Sequence, residues 1–162
     1  MRERIGGLVE EARHEASIVV ARRLREHPLF CKARVVYAFA PRCDEPDWTI
    51  GGLDVEKTWA FPRVENGEMS FWRVSSMEDF SLGTFNIREP LSREVAPPPD
   101  LILVPALAFT ATGQRLGRGG GFYDRFLAEM PAPSLGIAFA CQVLGSLPTE
   151  EHDTSVTDVV TR

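Results

Sequence analysis

The segment that most constrains the fold is an unbroken apolar run, Leu101–Pro105, which leads into a glycine-rich stretch and then a predicted helix, Phe122–Met130. An apolar run without alternation is typical of a strand buried on both faces, as the strands of parallel sheets are. Leu135–Ala140 has the same character. Because such strands alternate here with helical patterns, the sequence predicts an α/β fold, a three-layer αβα sandwich with a mostly parallel central sheet. We expect Leu101–Val104 to be a central strand.

The remaining elements are predicted from residue spacing and turn residues. Near the N-terminus, apolar residues recur every three or four positions and predict a helix that ends near His27-Pro28. This stripe consists of Ile5, Leu8, Val9, Ala12, Ala16, Val19, Val20 and Leu24. Further strands are predicted at Arg34–Ala40, Thr58–Val64, Met69–Val74 and Val159-Val160. Asn66-Gly67 predicts a hairpin turn, and Ala106–Gly121 is expected to be a long loop. The length predicts a single domain, residues 1–162.

Composition and charge exclude several classes of protein. Hydrophobic residues make up 44% of the chain and charged residues 25%, which is typical of a folded globular protein and argues against disorder. The formal net charge of -5 argues against a nucleic-acid partner, because such binding needs clustered cations. No apolar run approaches the roughly 18 residues of a membrane span, and Met1–Leu8 lacks the apolar core of a signal peptide. We therefore expect a cytoplasmic protein with no membrane partner.

The cysteines and histidines predict neither a disulfide framework nor a zinc site. Cys31, Cys43 and Cys141 are an odd number without CxxC spacing, which favours a reducing cytosol. The three histidines are not paired at the spacing of zinc ligands.

The segment Gln114–Arg125 carries the residues best suited to chemistry. Its glycines are Gly117, Gly119, Gly120 and Gly121. They let the backbone approach a ligand closely, and the N–H groups at the start of the following helix favour an anion. Arg115 and Arg118 could bond phosphate oxygens, and Asp124 could hold a magnesium ion that bridges them. The segment predicts a phosphate site.

Plainer interpretations of this segment stay open. A glycine-rich turn before a helix can be a tight connection without a ligand, and Asp124 can be a helix-start residue favoured by the helix dipole. The segment is not a P-loop, because no Lys-Ser or Lys-Thr follows the glycines. It resembles a dinucleotide-binding fingerprint only loosely.

Four motifs between Asp100 and Thr161 together resemble a known family. In order they read DLILVPALAF, TGQRLGRGGGFYDRFL, SLGIAFACQV and LPTEEHDTSVTDVVT. They are similar to those of the 5-formyltetrahydrofolate cyclo-ligases, also called methenyltetrahydrofolate synthetases, closely from Asp100 onward and loosely over the middle third. The resemblance implies an ATP- and Mg²⁺-dependent enzyme that converts 5-formyltetrahydrofolate to 5,10-methenyltetrahydrofolate and releases ADP and phosphate.

The resemblance also implies roles for the residues of the loop. ATP would contact Arg115, Leu116, Gly117, Arg118, Gly119, Gly120, Gly121, Phe122 and Tyr123. The catalytic group would be Arg115, Arg118, Tyr123 and Asp124. Asp124 and Asp153 would hold Mg²⁺ together, because both follow parallel strands that end on one edge of the sheet. A solvated acid in a polar tail is the plainer interpretation of Asp153.

The resemblance places the folate between an N-terminal acidic turn and the glycine-rich loop. Its implied contacts are Phe39, Glu45, Phe85 and Tyr123. Glu45 would accept two parallel N–H bonds from the pterin's amino-pyrimidine edge. Arg63 and Glu89 lie in segments that the family shares, although a plain surface arginine stays open for Arg63. An ordinary surface turn stays open for Asp44 and Asp47.

The implied reaction needs no side-chain nucleophile. The oxygen of a formamide is a poor leaving group, so transfer of the γ-phosphoryl group to it makes phosphate the leaving group. Attack by the second folate nitrogen then closes the ring. A protein that aligns the two ligands and neutralises the developing charge meets these needs.

Two departures from the family keep other functions open. The first helix lacks the family's basic K-x-x-LR segment, for which Arg2, Arg4 and Arg22-Arg23 are possible substitutes, and Trp48–Glu56 is short for the expected helix. The alternatives are a divergent paralogue that acts on another small carboxylate, and a non-catalytic regulator that binds folate or nucleotide. The expected partners are the two small-molecule substrates. A monomer is expected, with a dimer as the alternative.

Overall fold

The computed structural model describes residues 7, 9–83, 87–148, 150 and 152–162. Its helices are α1 (Glu10–Glu26), α2 (Pro28–Lys32) and α3 (Phe122–Glu129). Its strands are β1 (Val35–Tyr37), β2 (Thr58–Glu65), β3 (Glu68–Val74), β4 (Phe80–Leu82), β5 (Arg88–Pro90), β6 (Leu101–Val104), β7 (Ala108–Thr110), β8 (Arg115–Leu116), β9 (Ser134–Ile137), β10 (Val143–Leu144) and β11 (Asp158–Val160).

A six-stranded sheet in the order β11-β9-β6-β1-β2-β3 forms the centre of the fold. Every pairing in it is parallel except the last, between β2 and β3. Strand β6 lies between β1 and β9, so the prediction of a mostly parallel sheet with Leu101–Val104 inside it is confirmed. The β2–β3 hairpin turns at Asn66-Gly67, whose φ angles of 53° and 82° are those of a two-residue hairpin loop, again as predicted.

Helices cover both faces of this sheet. Successive residues of β6 point to opposite faces. Leu101 and Leu103 pack with the α1 residues Val20 and Leu24. On the other face, Ile102 and Val104 pack with Leu127 of α3. The three layers αβα therefore follow from an unalternating apolar strand with an amphipathic helix on each side.

Several predicted boundaries are wrong. Strand β1 stops at Tyr37 rather than Ala40, and β9 stops at Ile137 because Phe139 bonds the side chain of Gln142 at the start of a 3₁₀ turn. The expected long loop Ala106–Gly121 contains strands β7 and β8, which form a second sheet in the order β10-β7-β8. These strands are two or three residues long, too short to show a periodic pattern.

The N-terminal helix ends where the sequence predicts. Its last residue is Glu26, and the extended His27 accepts the N–H of Leu29 on its side chain while Pro28 begins α2. Within the described residues, α1 starts at Glu10, and the predicted stripe members Ile5 and Leu8 lie outside those residues. No helix in the described ranges combines the length and the apolar character that crossing a membrane requires.

The contact between the two sheets predicts a stability effect at Gly136 in β9. A Cβ added there would lie 2.8 Å from Cζ of Phe109, a fully buried ring on β7. We expect Gly136→Ala to lower the free energy of unfolding by about 1–3 kcal/mol, the usual cost of overpacking a core. Urea unfolding measures this effect. Gly145→Ala is the matched control, because among the described residues no atom beyond its two chain neighbours lies within 4 Å of its added Cβ. Equal losses in the two variants would contradict the packing argument.

Candidate functional site

Three segments meet beyond the carboxyl ends of the parallel strands β1, β6 and β9. They are the acidic turn (residues 41–47), the glycine loop (residues 117–121) and the C-terminal segment (residues 152–156). The acidic turn follows β1, the glycine loop follows β6 through the small hairpin β7–β8, and the C-terminal segment follows β9. The carboxyl edge of a parallel sheet is the usual place for ligand sites in α/β folds.

The glycine loop delivers the chain from β8 into α3 through two left-handed positions. Gly119 has a φ of 90° and Gly121, the N-cap residue of α3, a φ of 63°, conformations that residues with a Cβ rarely adopt. No side chain in the described part of the chain caps the start of this helix. Its first N–H groups and its dipole therefore face the loop, an arrangement that favours an anion.

Arg118 joins the glycine loop to the acidic turn. Its Nη2 donates to Oδ2 of Asp44 at 2.9 Å and to Oε1 of Glu45 at 3.0 Å. Burial alone would lower the pKa of Arg118, but the two carboxylates outweigh it and raise the pKa. The acidic turn and the glycine loop, more than 70 residues apart in sequence, are thus in direct contact.

Glu45 is the buried carboxylate of this site, only 6% exposed. Its Oε2 accepts the backbone N–H of Arg42 at 3.0 Å, and Oε1 faces Arg118. Burial raises the pKa of Glu45, although the bonds from Arg42 and Arg118 oppose this and the charge of Asp44 adds to it. The turn therefore presents a carboxylate held by protein donors on both oxygens.

The hydroxyl of Tyr123 is buried and has no hydrogen-bond partner among the described residues. Burial is the main cause that raises its pKa; the negative charge of Glu45 raises it further, and the positive charge of Arg115 opposes both. The phenol is therefore a neutral O–H donor that lies within the field of Glu45 and Arg115. A buried unpaired hydroxyl is costly, which makes it a candidate contact for a ligand.

Arg115 lies beneath the loop, with 3% of its side chain exposed. Its Nη2 donates to Oδ1 of Asp124, and its Nε donates to the carbonyl of Thr154 at 3.1 Å. Thr154 in turn donates its N–H to Oδ1 of Asp124 at 3.3 Å and its hydroxyl to the Asp124 carbonyl at 3.4 Å. Burial lowers the pKa of Arg115, although Asp124, Tyr123 and Asp153 oppose the shift. This triangle binds β8, α3 and the C-terminal segment together.

The two predicted magnesium ligands lie on segments that this triangle joins. Asp153 precedes Thr154, accepts the N–H of Glu150 on Oδ2 at 2.7 Å, and acts electrostatically on Arg115. Oδ2 of Asp124 makes no hydrogen bond to any described residue. Over the described ranges there is no group of three or more His, Cys, Asp or Glu side chains that could hold a metal ion. Two carboxylates completed by phosphate oxygens and water are nevertheless a normal donor set for Mg²⁺.

The other residues predicted to contact a ligand differ in how deeply they are buried. Phe39 is buried in the core on the α1 face, with its ring 6.1 Å from that of Trp48, and so lies beneath the acidic turn. Phe85 lies outside the described residues. Leu116 is partly exposed, and Phe122 is half-buried under the guanidinium of Arg125 at 5.2 Å.

Arg63 is buried rather than the surface arginine of the plainer interpretation. Its Nη2 donates to the carbonyls of Pro90 and Ser92, the latter at 2.9 Å. Glu89 accepts the N–H of Val64 at 3.3 Å. These bonds hold the β4–β5 hairpin, from which Phe85 extends in sequence, against the end of β2.

Sequence reasoning missed three residues that organise the site. Asp44 was assigned no role, yet it shares the guanidinium of Arg118 with Glu45. Thr154 and Gln142 were not singled out, although both belong to the stretches that carry the family resemblance. Position within those stretches was the signal that could have found them.

Known proteins resemble this chain over its whole length. A family model described as "5-formyltetrahydrofolate cyclo-ligase family" matches residues 1–162. The Escherichia coli K12 protein named 5-formyltetrahydrofolate cyclo-ligase is 31% identical over 177 residues, which cover 99% of this chain and 96% of that one. The Mus musculus protein of the same name is 27% identical over 180 residues, covering 99% and 89%. The NMR structure of Aquifex aeolicus 5,10-methenyltetrahydrofolate synthetase aligns with a TM-score of 0.87 and 36% identity, over 99% of this chain and 84% of that one.

The raised pKa of Glu45 predicts that the free energy of unfolding depends on pH. Because its folded-state pKa is raised above the ordinary 4.5, the folded chain keeps this proton where the unfolded chain has released it. Its contribution to stability is therefore full below pH 4.5 and is lost as the pH rises through the folded-state pKa. We expect the free energy of unfolding of the wild type, minus that of Glu45→Gln, to fall over this window by at most about 1.4 kcal/mol per pH unit. Urea titrations at several pH values measure it, and a difference that rises with pH would contradict the assignment.

Proposed function

The chain belongs to the 5-formyltetrahydrofolate cyclo-ligase family, and we propose that it converts 5-formyltetrahydrofolate to 5,10-methenyltetrahydrofolate with ATP as co-substrate. The observation that carries this proposal is the contact between Arg118 and Glu45 at 3.0 Å. It supports the proposal because Arg118 belongs to the predicted phosphate site and Glu45 to the predicted pterin site. Transfer of a phosphoryl group from one ligand to the other requires this proximity.

The glycine loop is the proposed site of the ATP phosphates. Its two left-handed glycines let the backbone approach a ligand closely, and the start of α3, which no described side chain caps, supplies N–H donors. Arg118 is the partly exposed cation of the loop and can exchange a carboxylate partner for a phosphate oxygen. Leu116, Phe122 and Tyr123 would border the nucleotide.

The pterin of the folate is proposed to bind Glu45. A carboxylate can accept two parallel N–H bonds from an amino-pyrimidine edge, and this one is already buried and oriented by Arg42. The unpartnered hydroxyl of Tyr123 lies within the field of Glu45 and is suited to donate to an oxygen of the formyl group or of its phosphorylated form. Phe85 and Phe39 stay proposed contacts, the second through the floor of the site.

The proposed reaction has two steps. In the first, the formyl oxygen attacks the γ-phosphorus and the bond to the bridging oxygen of ADP breaks. In the second, the lone pair of the other folate nitrogen attacks the formyl carbon, phosphate leaves with the former formyl oxygen, and the nitrogen loses its proton. Arg118 and the N–H groups of α3 stabilise charge on the transferring group. No protein nucleophile takes part.

Magnesium is proposed to bind between Asp124 and Asp153. The donors fit, because Asp124 has an oxygen that is not bonded to any described residue and Thr154 ties the segment of Asp153 to Asp124. When bound, the ion would neutralise phosphate charge. We further propose a cytoplasmic monomer whose partners are its small-molecule substrates; the exposed free thiols of Cys31 and Cys43 support a reducing compartment.

The decisive test is turnover. Purified protein with 5-formyltetrahydrofolate and Mg-ATP is expected to form a product with the near-ultraviolet absorbance of the methenyl compound, and to release equal amounts of ADP and phosphate. Binding of both ligands without turnover would favour the non-catalytic regulator. Nucleotide binding without folate binding, measured by thermal shift against other small acids, would favour the divergent paralogue.

The pterin assignment predicts a selective loss in Glu45→Gln. Removing one charged hydrogen bond costs about 1.5–3 kcal/mol, so we expect the KM for folate to rise roughly 10- to 150-fold while the KM for ATP changes little. Steady-state kinetics with each substrate varied in turn measures both. Asp47→Asn is the matched control in the same turn, because Asp47 is exposed and caps the N–H of Thr49 at 3.0 Å. A larger effect of Asp47→Asn than of Glu45→Gln would move the pterin site to Asp47.

A further inference from the structure

Arg115, in the strand before the glycine loop, acts differently from Arg118, which lies within the loop. Resting on the proposed function above, we infer that Arg115 is a positioning residue that orients Asp124 for the metal and does not itself touch the phosphates. Arg118 alone then supplies the loop's guanidinium to ATP.

Burial and donor use separate the two arginines. The side chain of Arg115 is 3% exposed, against 26% for Arg118. Arg115 donates from Nε to the carbonyl of Thr154 and from Nη2 to Asp124. Its Nη1 lies 3.5 Å from the position that a Cβ of Gly117 would occupy. The guanidinium is therefore beneath the backbone of the loop, on the side away from solvent. A phosphate on the upper surface of the loop would be separated from it by the loop itself.

The contacts of Arg115 determine the orientation of the Asp124 carboxylate. Oδ1 receives the guanidinium of Arg115 and the N–H of Thr154, so the rotation of the carboxylate is set by two donors from different segments. Oδ2 is left without a bond to the described residues and is the oxygen available to a cation. Carboxylates that bind metals are commonly held by such outer hydrogen bonds, and losing one typically weakens metal affinity by about 10- to 100-fold.

The planar fork of arginine suits this role in a way that lysine cannot reproduce. One guanidinium reaches the Asp124 carboxylate and the Thr154 carbonyl at once through fixed, divergent N–H groups. Arg115→Lys keeps the positive charge near the metal but gives up this two-point geometry. Any loss in the variant then reports on orientation rather than on charge.

The test compares nucleotide affinity with and without a metal. Calorimetry in EDTA gives the affinity of wild type and Arg115→Lys for ADP alone, and titration of the ADP complexes with Mg²⁺ or Mn²⁺ gives the metal affinity. We expect the metal dissociation constant to rise about 10- to 100-fold, with the metal-free ADP affinity changed less than about twofold, under RT ln 2 or roughly 0.4 kcal/mol. Arg118→Lys is expected to show the opposite pattern. Arg73→Lys is the control that should change neither the ADP affinity nor the metal affinity. Arg73 lies on β3 and forms an exposed ion pair with Glu94 at 2.6 Å.

Each result decides the inference. A tenfold or greater loss of metal-free ADP affinity in Arg115→Lys would make Arg115 a phosphate ligand and overturn the positioning role. Lower unfolding free energy with both affinities unchanged would reduce Arg115 to a structural residue, with the same consequence. Wild-type protein that binds no ADP would instead overturn the proposed function, and the inference with it.

A measurement on the wild type avoids the risk that the variant does not fold. In the NMR spectrum of ¹⁵N-arginine-labelled protein, ADP in EDTA should shift the Nε–H signal of Arg118 and leave that of Arg115 in place. Addition of Mg²⁺ should then shift the Arg115 signal, because the ion binds Oδ2 of the same carboxylate whose Oδ1 accepts from Arg115. A shift of the Arg115 signal by ADP alone, as large as that of Arg118, would contradict the inference.

Discussion

The carboxyl edge of the central sheet depends on one buried amide, that of Gln142. This side chain is 1% exposed, accepts the N–H of Phe139 at 2.8 Å, and donates to the carbonyls of Ala106 and Leu107 at 3.0 and 3.3 Å. These groups follow β9 and β6, so the amide joins the two connections where each leaves the sheet. A buried polar group without its partner costs about 1–3 kcal/mol, and the junction is therefore stable only as a complete set. It determines where the second sheet starts, and so where β8 carries Arg115.

Above this junction, the site is held together by charges that neutralise one another. Arg118 pairs with Asp44 and Glu45, and Arg115 pairs with Asp124. Removing one partner from a buried pair is far more costly than exchanging it, because the remaining charge would be left desolvated. In the proposed reaction, phosphate oxygens replace the carboxylates at Arg118, and pterin N–H groups replace the guanidinium at Glu45. In this proposal, each substrate group replaces a protein group of the same hydrogen-bonding type, an acceptor at Arg118 and a donor at Glu45.

The central sheet could be predicted from sequence because its determinants are local. The apolar run Leu101–Val104 needs no distant information to indicate a strand buried on both faces, and Asn66-Gly67 specifies its hairpin by the positive φ angles that both residues tolerate. Strand ends were less predictable. Ala38 continues to donate to Ala60 at 2.8 Å beyond the end of β1, and Ala138 donates to Val160 at 3.1 Å beyond the end of β9, just before the bonds of Gln142 begin. The end of β9 depends on the side chain of Gln142, which the apolar pattern alone does not connect to that strand.

The site was predictable as a set of segments but not as a set of contacts. The glycines indicate that the backbone of the loop can approach a ligand closely. They do not indicate which side chains pack against the buried side of the loop. Arg115 and Arg118 are equivalent by composition, yet Arg115 belongs to β8, where alternation turns it inward and its neighbour Leu116 outward. Its partner Thr154 lies 39 residues further along the chain. Two short strands within an apparent loop thus decide which arginine is buried, and only the packing of β8 between β7 and the C-terminal segment reveals them.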